Sequence, residues 1–357
     1  MFEITRLTAR SCSMLGQRGS IFGQAVLDAA QEDEKFLLLT ADLATLSGMT
    51  RYIERYPNQF YNIGIAEQNM IGIAAGLAAE GFHPCATTYA TFITMRSCEQ
   101  IRHFCGYMKE KIIVVGSGAG LSQGFAGNTH YTIEDLAVMR SIPNIKILSP
   151  ADAASAVKQF ELARQEEGAV YMRLTGNLNC PMVYKEDTDF EIGKAKLLCE
   201  GKDVTIFAVG TMVDAALKAA KKLSEQGVEA AVYDMFTVKP IDRNAIISAK
   251  ESKLIVTVEE HNKMGGLGAA VAEVMTEQAG MPKLLRCGIH DSFDLACDYN
   301  GLLAQNRLTP ELIAEDVTKE YYNCQIDTKW IEKSNWGGAI IPFSQARLPL
   351  SRVAVAA

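Results

Sequence analysis

Residues 61–81 read YNIGIAEQNMIGIAAGLAAEG, and this stretch decides how the first half of the chain is organised. In the segment from Asn62 to Ile65, β-branched isoleucines alternate with other residues, which predicts a short strand. Apolar residues then recur at helical spacing until Gly81, which predicts a helix that ends at this glycine. Glu67 therefore lies where a strand passes into a helix.

Two interpretations of Glu67 are open from this stretch alone. A carboxylate at the start of a helix is stabilised by the unpaired amides and the positive end of the helix dipole, by about 0.3–1 kcal/mol. Alternatively, Glu67 has a functional role beside a subunit interface. Gly72 and Gly76 lie one turn apart with alanines beside them, and such a face lets another backbone approach closely.

The composition is that of an ordinary soluble globular protein. The chain has 357 residues, of which 48% are hydrophobic and 22% charged, and this length predicts about two domains. No window approaches the roughly 18–20 apolar residues of a membrane span, so we expect no membrane partner. The formal net charge of −7 argues against a nucleic-acid partner.

The cysteines and the N-terminus indicate a cytoplasmic protein. The nine cysteines are scattered and form no CxxC pair, which predicts free thiols in a reducing compartment. Glu3, Arg6 and Arg10 precede any apolar block, so the N-terminus does not resemble a secretory signal.

Strand and helix patterns alternate along both halves of the chain. This alternation predicts two successive α/β domains, each with a mostly parallel sheet covered by helices on both faces. The first domain is predicted over residues 1–185 and the second over 191–322, with a linker near 185–202 and an extension over 323–357. Thr132 to Asp135 and Ser149 to Asp152 are each predicted to open a helix as a capping motif.

Four side chains are candidates for chemistry, each with a structural alternative. His130 ends a glycine-rich loop, where an imidazole can exchange a proton near neutral pH or be held by loop backbone. Tyr89 and Phe92 are candidates for an aromatic wall against a planar ligand, and the structural alternative is that both belong to the core. Arg173, near the end of a predicted strand, is a candidate for binding an anion, and the structural alternative is a surface ion pair.

The glycine-rich loop and the histidines suggest neither a nucleotide nor a metal site. The loop after Val115 fits neither GxGxxG nor GxxxxGK[ST]. The remaining histidines have no metal-ligand spacing with nearby cysteines or carboxylates, so we expect no metal bound by this chain alone. They are His83, His103, His261 and His290.

Four blocks together resemble the C-terminal half of transketolase and of 1-deoxyxylulose-5-phosphate synthase. They are GIAEQNMIGIAAGLA (64–78), ATTYATF (86–92), GNTHYTIEDLAVMRSIPNIKILSPAD (127–152) and VEEHNKMGGLGAAVAE (258–273). The resemblance runs in the same order over residues 15–318. It implies a thiamine-diphosphate enzyme in which a pyrimidine-binding domain is followed by a C-terminal domain.

The resemblance implies a cofactor role for five residues. In that family the glutamate matching Glu67 hydrogen-bonds the aminopyrimidine ring and promotes formation of the reactive ylid. Aromatic residues matching Tyr89 and Phe92 hold the same ring. Ile65 and Asp42 are also assigned to cofactor binding.

Among the residues implied to contact the substrate, some match the resembled family and others depart from it. The histidine matching His130 lies beside the reacting carbon, and the arginine matching Arg173 contacts the substrate's phosphate. Arg96 is assigned to the substrate as well. This sequence has Gly118 where phosphosugar-using relatives have a basic residue, and Ala126 where transketolases have an aspartate. We therefore expect a substrate that differs from the ordinary pentose phosphates.

The chain contains no GDG, the family's signature for magnesium and diphosphate binding. It is therefore expected to be the C-terminal subunit of a split transketolase, which moves a two-carbon ketol unit from a ketose to an aldose. A separate N-terminal subunit would hold the diphosphate with Mg²⁺ or Ca²⁺. We expect self-association as a homodimer through the face of Gly72 and Gly76, within a two-plus-two heterotetramer.

Three alternatives to a split transketolase stay open. The chain could be a 1-deoxyxylulose-5-phosphate synthase-like subunit or a 2-oxo-acid dehydrogenase beta-like subunit, and an assay with pyruvate would separate these enzymes from a transketolase. It could also be a non-catalytic, dimerising regulatory subunit. The retention of Glu67, Tyr89, Phe92 and His130 argues against that third alternative.

Overall fold

The computed structural model describes residues 2–333, with side chains up to residue 324. The strands are β1 (Phe36–Thr40), β2 (Phe60–Asn62), β3 (His83–Tyr89), β4 (Ile113–Ala119), β5 (Lys146–Leu148), β6 (Val170–Thr175), β7 (Lys196–Cys199), β8 (Val204–Ala208), β9 (Ala230–Asp234), β10 (Thr237–Lys239), β11 (Leu254–Asn262) and β12 (Lys283–Ile289).

The helices alternate with these strands. They are α1 (Arg6–Ser20), α2 (Val26–Glu32), α3 (Thr50–Arg55), α4 (Glu67–Ala79), α5 (Cys98–Gln100), α6 (Asp135–Ser141), α7 (Ala153–Gln165), α8 (Met212–Ser224), α9 (Arg243–Ser248), α10 (Leu267–Thr276), α11 (Tyr299–Gln305) and α12 (Pro310–Lys333). Short π-helical segments, Phe92–Arg96 and Ile101–Tyr107, flank α5.

The strands form two sheets that are parallel except at one edge of each. The first has seven strands in the order β10-β5-β6-β4-β3-β1-β2, and the second has five in the order β12-β11-β8-β9-β7. Only β10 and β7 run antiparallel to their neighbours among the described strands. The prediction of two α/β domains with mostly parallel sheets is confirmed.

Both faces of the first sheet are buried, as a parallel sheet requires. Successive side chains of a strand point to opposite faces, so Phe36 and Leu38 of β1 enter one hydrophobic cluster. Leu37 and Leu39 enter the other. Helix α7 packs into the first cluster and α4 into the second, which explains why β1 reads as an unbroken apolar run.

Strand β10 connects the two halves of the chain. Although it lies beyond the predicted linker, it joins the first sheet by pairing with β5, where Thr237 faces Leu148 and Lys239 faces Ile147. A segment of the second half thus completes the sheet of the first half.

Several predicted elements need correction. Strand β2 ends at Asn62, because Gly64 takes a φ of +77° and turns the chain toward α4. Thr132 does not cap α6, which begins at Asp135 without a side-chain cap. Helix α7 is capped by Asp152 in a capping box with Ser155, and Ser149 plays no part in it.

Regular structure is also present within the predicted linker and at the start of the predicted extension. Strand β7 lies inside the predicted linker 185–202. Helix α12 runs on to Lys333, so the first part of the predicted extension is helical. The rest of that extension, residues 334–357, lies outside the described residues. Among residues 2–333, no helix combines the length and hydropathy needed to cross a membrane.

Candidate active site

The predicted site residues gather where the strands of the first sheet end. Because β1, β3, β4 and β6 are parallel, their carboxyl ends lie at one edge of the sheet. In such sheets ligands bind in the crevice outside this edge. Tyr89 is the last residue of β3, and the segments that carry Glu67, Phe92 and His130 follow β2, β3 and β4.

Glu67 is the first residue of α4, and its side chain is only 5% exposed. Its Oε1 accepts a hydrogen bond from Nη1 of Arg96 at 2.7 Å. Ala66 provides no side-chain cap for the helix, and the Glu67 carboxylate accepts no backbone amide of α4. Among the described residues its second oxygen has no hydrogen-bond partner. Oε2 is not among the buried side-chain atoms that lack a partner, so one oxygen is paired with Arg96 and the other stays accessible to a ligand.

An aromatic cluster lies beside this carboxylate. The Tyr89 and Phe92 ring centroids are 5.8 Å apart, and the His130 ring lies 6.1 Å from Tyr89 and 5.5 Å from Phe92. All three pairs are edge to face. The guanidinium carbon of Arg96 lies 3.9 Å from the Phe92 centroid. The structure therefore brings together five of the predicted residues: Glu67, Tyr89, Phe92, Arg96 and His130.

Arg96 and His130 each have one polar side-chain partner among the described residues. Arg96 pairs with Glu67, is 47% exposed at its side chain, and does not line the substrate-sized cleft described below. His130 is half-buried, and its Nδ1 lies 2.8 Å from Oγ1 of Thr129, which leaves Nε2 for another partner.

Asp42 and Ile65 lie at the same edge of the sheet without a described contact to the cluster. Asp42 has a φ of +59° and is held by Asn62, whose Oδ1 accepts its backbone N–H at 3.1 Å. Ile65 is 74% exposed, which is unusual for a large apolar side chain in the loop before a buried helix start.

Arg173 is not placed as a substrate contact. Its side chain is fully buried, and its Nε donates to Oδ2 of Asp135 at 2.7 Å. Its Nη2 donates to the backbone carbonyl of Glu260 at 2.9 Å. The guanidinium thus offers no exposed face to a ligand, and its ion pair is buried, where the sequence suggested a surface pair.

A cleft of about 550 Å³ adjoins the aromatic cluster. Arg18 of α1 lines it, with its guanidinium carbon 6.0 Å from the Tyr89 centroid. Its Nη1 is buried and has no hydrogen-bond partner within residues 2–333. Four exposed apolar side chains surround the cleft: Leu15, Leu46, Phe125 and Leu178.

Sequence reasoning missed Arg18. It lies in a helix without a motif, and the available signal was a pair of flanking glycines. Gly16 has a φ of +68° and interrupts the helix two residues before Arg18. A basic residue next to such an interruption would have been a candidate for a ligand contact.

Of the two residues that depart from the resembled pattern, Gly118 lines the same cleft, and Ala126 follows Phe125, which lines it. Gly118 has a φ of +66°, and a Cβ built there would lie 2.8 Å from Cγ of Gln123 and 3.2 Å from Cδ1 of Tyr89. The loop backbone therefore packs directly against the aromatic cluster, with no room for a side chain. Ala126 ends a short 3₁₀ turn, Gly124–Ala126, at the rim.

The glycine face of α4 is open in this chain. A Cβ built at Gly72 or at Gly76 would meet no other atom within 4 Å. This surface is adjacent to Glu67, on the same helix, so a partner that covered it would also approach the carboxylate.

Comparisons with known proteins identify the family. Residues 18–180 match the transketolase pyrimidine-binding domain and residues 193–295 match the transketolase C-terminal domain. A putative transketolase C-terminal section of Methanocaldococcus jannaschii is 37% identical over 84% of this chain and 94% of that protein. A 6-deoxy-6-sulfo-D-fructose transketolase subunit of Clostridium sp. is 40% identical, over 75% of this chain and 83% of that protein.

A solved structure agrees with these matches. A split gene transketolase, described as an inactive beta4 tetramer, has a TM-score of 0.76 and 39% identity, covering 85% of this chain and 97% of that one. Both domains are thus present in the same order as in these relatives. The chain belongs to the transketolase family, and it is similar to members that are described as a C-terminal section or as a split gene transketolase.

Proposed function

We propose that this chain is the C-terminal subunit of a split, thiamine-diphosphate-dependent transketolase, which transfers a two-carbon ketol unit from a ketose to an aldose. The observation that carries the proposal is the Glu67 carboxylate, with one oxygen paired and the other accessible, beside the Tyr89–Phe92–His130 cluster. Family membership supports the proposal, because transketolase domains in general serve thiamine diphosphate.

The chemistry of the site fits the pyrimidine half of this cofactor. To bind and activate the aminopyrimidine ring, a site needs a carboxyl group that shares a proton with a ring nitrogen. It also needs apolar surfaces against the faces of the ring. Glu67 has an oxygen without a partner among the described residues, and Tyr89 and Phe92 supply aromatic surface. Ile65 supplies an exposed aliphatic side chain, and Asp42 stands at the neighbouring strand exit.

The residues of this chain would have distinct roles. Thiamine diphosphate, when bound, would supply the carbanion chemistry that ketol transfer needs. Glu67 would hold a proton at the pyrimidine ring, while Arg96 keeps its other oxygen in place. Tyr89 and Phe92 would hold the ring and exclude water. His130 would exchange a proton with a substrate hydroxyl through Nε2.

The cleft suggests a substrate with one negative charge. Arg18 is the only charged side chain that lines it within the described part of the chain. A phosphate monoester carries a charge of about −1.5 to −2 at pH 7, whereas a single guanidinium group balances one negative charge. The apolar rim disfavours a fully hydroxylated sugar end. We propose a branched, deoxy or non-phosphorylated sugar, with Arg18 as the anion contact in place of Arg173.

A second polypeptide would complete the enzyme. It would carry the GDG signature and hold the diphosphate through Mg²⁺ or Ca²⁺, which needs oxygen ligands of its own. This chain would pair with another copy through the Gly72 and Gly76 face, giving two copies of each chain. The open surface at these glycines supports a protein contact there.

The test is a kinetic comparison in the reconstituted enzyme. With the GDG-bearing partner and cofactor, kcat/KM is measured for xylulose 5-phosphate plus ribose 5-phosphate and for a panel of deoxy, branched, sulfonated and carboxylated sugars. We expect ketol transfer, fastest with a sugar from the panel. Preference for the ordinary pentose phosphates would refute the substrate proposal, and turnover of pyruvate alone would indicate a synthase or dehydrogenase relative.

The role of Glu67 is tested in the same preparation. Glu67→Gln keeps the shape but removes the shared proton, so we expect hydrogen–deuterium exchange at the thiazolium carbon to slow by about 10²–10⁴-fold. Glu80→Gln, at the exposed end of the same helix, is the control. An exchange rate equal to that of the wild type in Glu67→Gln would remove Glu67 from the mechanism.

A further inference from the structure

Glu260 of β11 is a buried carboxylate that the proposed chemistry does not use. Its side chain is 1% exposed, and burial raises its pKa. Oε1 accepts the backbone N–H of Leu121 at 2.5 Å, and Oε2 accepts the hydroxyls of Tyr299 at 2.7 Å and Thr211 at 3.1 Å. A side chain of the second sheet thus binds backbone of the glycine-rich loop that follows β4.

The first arm of this network leads to His130. Gly120, next to Leu121, exchanges two backbone hydrogen bonds with Thr132, of 2.8 and 3.0 Å. His130 lies two residues before Thr132, and Gly118, near the end of β4, packs against Tyr89. Gly120 has a φ of +67°, and a Cβ there would lie 2.3 Å from Oε1 of Glu260. The carboxylate therefore fixes the loop by direct backbone contact.

The second arm leads to the opposite wall of the cleft. The Thr211 backbone N–H donates to Oγ1 of Thr175 at 3.2 Å. The Thr175 backbone N–H donates to Oε1 of Gln17 at 2.8 Å. Thr175 and Gln17 both line the cleft, and Gln17 precedes the proposed anion contact, Arg18. Both walls of the cleft are thus linked to one carboxylate.

We propose that Glu260 is a positioning residue through which the C-terminal domain sets the shape of the sugar cleft. It holds the loop of residues 118–132 on one side and the Thr175–Gln17 wall on the other. The identity of the sugar rests on the proposed function, but the positioning itself does not. Removing the carboxylate releases the loop and weakens sugar binding more than it slows the chemical step.

Glu259 is the matched control, because it is a buried acid on the same strand that faces the other way. Its carboxylate accepts the backbone N–H groups of Leu267 at 2.6 Å and Gly268 at 2.8 Å, at the start of α10. Burial raises its pKa to about 7. Glu259→Ala therefore disturbs the same domain without touching the cleft.

The first measurement is amide hydrogen exchange in the full chain without a partner. In Glu260→Ala we expect exchange in residues 118–132 to accelerate about tenfold or more, as for an unmade buried hydrogen bond. Glu259→Ala should accelerate exchange near α10 and leave 118–132 unchanged. Glu260→Gln keeps one acceptor and should restore much of the protection. Equal exchange in the loop of Glu260→Ala and wild type would overturn the inference.

The second measurement is kinetics in the reconstituted enzyme. Glu260→Ala should raise KM for the sugars about tenfold with a smaller change in kcat, and Glu259→Ala should leave KM unchanged. If Glu260→Ala does not fold, Tyr299→Phe removes one donor to the carboxylate and should show the same pattern at smaller size. Equal KM effects in the Glu259 and Glu260 variants would overturn the inference. Absence of sugar turnover in the wild type would refute the proposed function. The amide hydrogen exchange of residues 118–132 in Glu260→Ala would then test the positioning role by itself.

Discussion

Arg18 and Arg173 show how the surroundings of a guanidinium decide its role. Arg173 is fully buried and forms a 2.7 Å ion pair with Asp135, whose side chain is also fully buried. Charges in such a position are tolerated only when they are paired. Arg18 has a buried Nη1 without a partner among the described residues, beside an open cleft. An unmade hydrogen bond of this kind costs about 1–3 kcal/mol, which an anionic ligand can recover.

The two arginines should therefore respond differently to substitution. Arg173→Met leaves Asp135 as an unpaired buried charge, and we expect it to lower the free energy of unfolding by about 3–5 kcal/mol. Arg18→Gln removes the unpartnered guanidinium and leaves no charge unpaired, so it should not lower that free energy, and it should raise KM for an anionic sugar about tenfold. Urea unfolding measures the first effect and sugar kinetics the second. An unchanged KM in Arg18→Gln would remove Arg18 from the substrate site.

The sequence predicted candidate residues that lie in local motifs, and missed contacts that depend on tertiary pairing. Glu67, Tyr89, Phe92 and His130 lie in recognisable blocks, and the structure brings them together. The pairing of Arg173 with a residue 38 positions earlier leaves no local trace. The position of a residue at a strand end does not reveal which neighbour it meets.

At the scale of elements, hydrophobic pattern predicted the buried interior and failed at edges and caps. Strand β1 reads as an unbroken apolar run, FLLLT, because all five of its residues are buried. Strands β7 and β10 were missed because they are short edge strands of four and three residues, with too few positions to show a period. The cap of α7 was placed three residues early, because both Ser149 and Asp152 are acceptable caps.

Helix α4 carries a prediction about assembly. Gly76 is exposed and a Cβ there meets nothing within 4 Å, so Gly76→Leu fits the isolated chain. Leucine favours the helix over glycine by about 0.5–1 kcal/mol, so the thermal midpoint of the chain should not fall. If this face is the subunit contact, the added side chain should block close approach of another backbone and abolish association, as measured by analytical ultracentrifugation.

Lys319→Leu, at an exposed position of α12, is the control for a new apolar surface residue. It should leave association unchanged. Normal assembly of Gly76→Leu would show that the glycine face is not the contact, even though it is open in this chain.

For the whole molecule, the two sheets act as one unit. Strand β10 of the second half completes the first sheet, and Glu260 of the second sheet fixes a loop of the first. Alternation of strands and helices predicted two domains, because each half repeats the same pattern. It could not predict these cross-connections, since each depends on which edge or loop the folded halves present to each other.

Binding of thiamine diphosphate with its metal ion needs groups that the described part of the chain does not supply. Among residues 2–333, no cluster of three or more histidine, cysteine or acidic side chains could hold a metal ion. A diphosphate is bound mainly through such an ion and oriented backbone donors. We therefore expect the isolated chain to show negligible affinity for thiamine diphosphate with Mg²⁺, and no ketol transfer.

Mixing with a GDG-bearing chain should restore both properties, because the pyrimidine site of one chain and the diphosphate site of the other are then joined. Calorimetric titration of cofactor and Mg²⁺ into the isolated chain, and then into the mixture, makes the comparison. Glu67→Gln in the mixture is a second arm, since it weakens the pyrimidine contact while the partner still holds the diphosphate. Tight, Mg²⁺-dependent binding by the isolated chain would contradict the split-subunit proposal, because this chain would then contain the whole cofactor site.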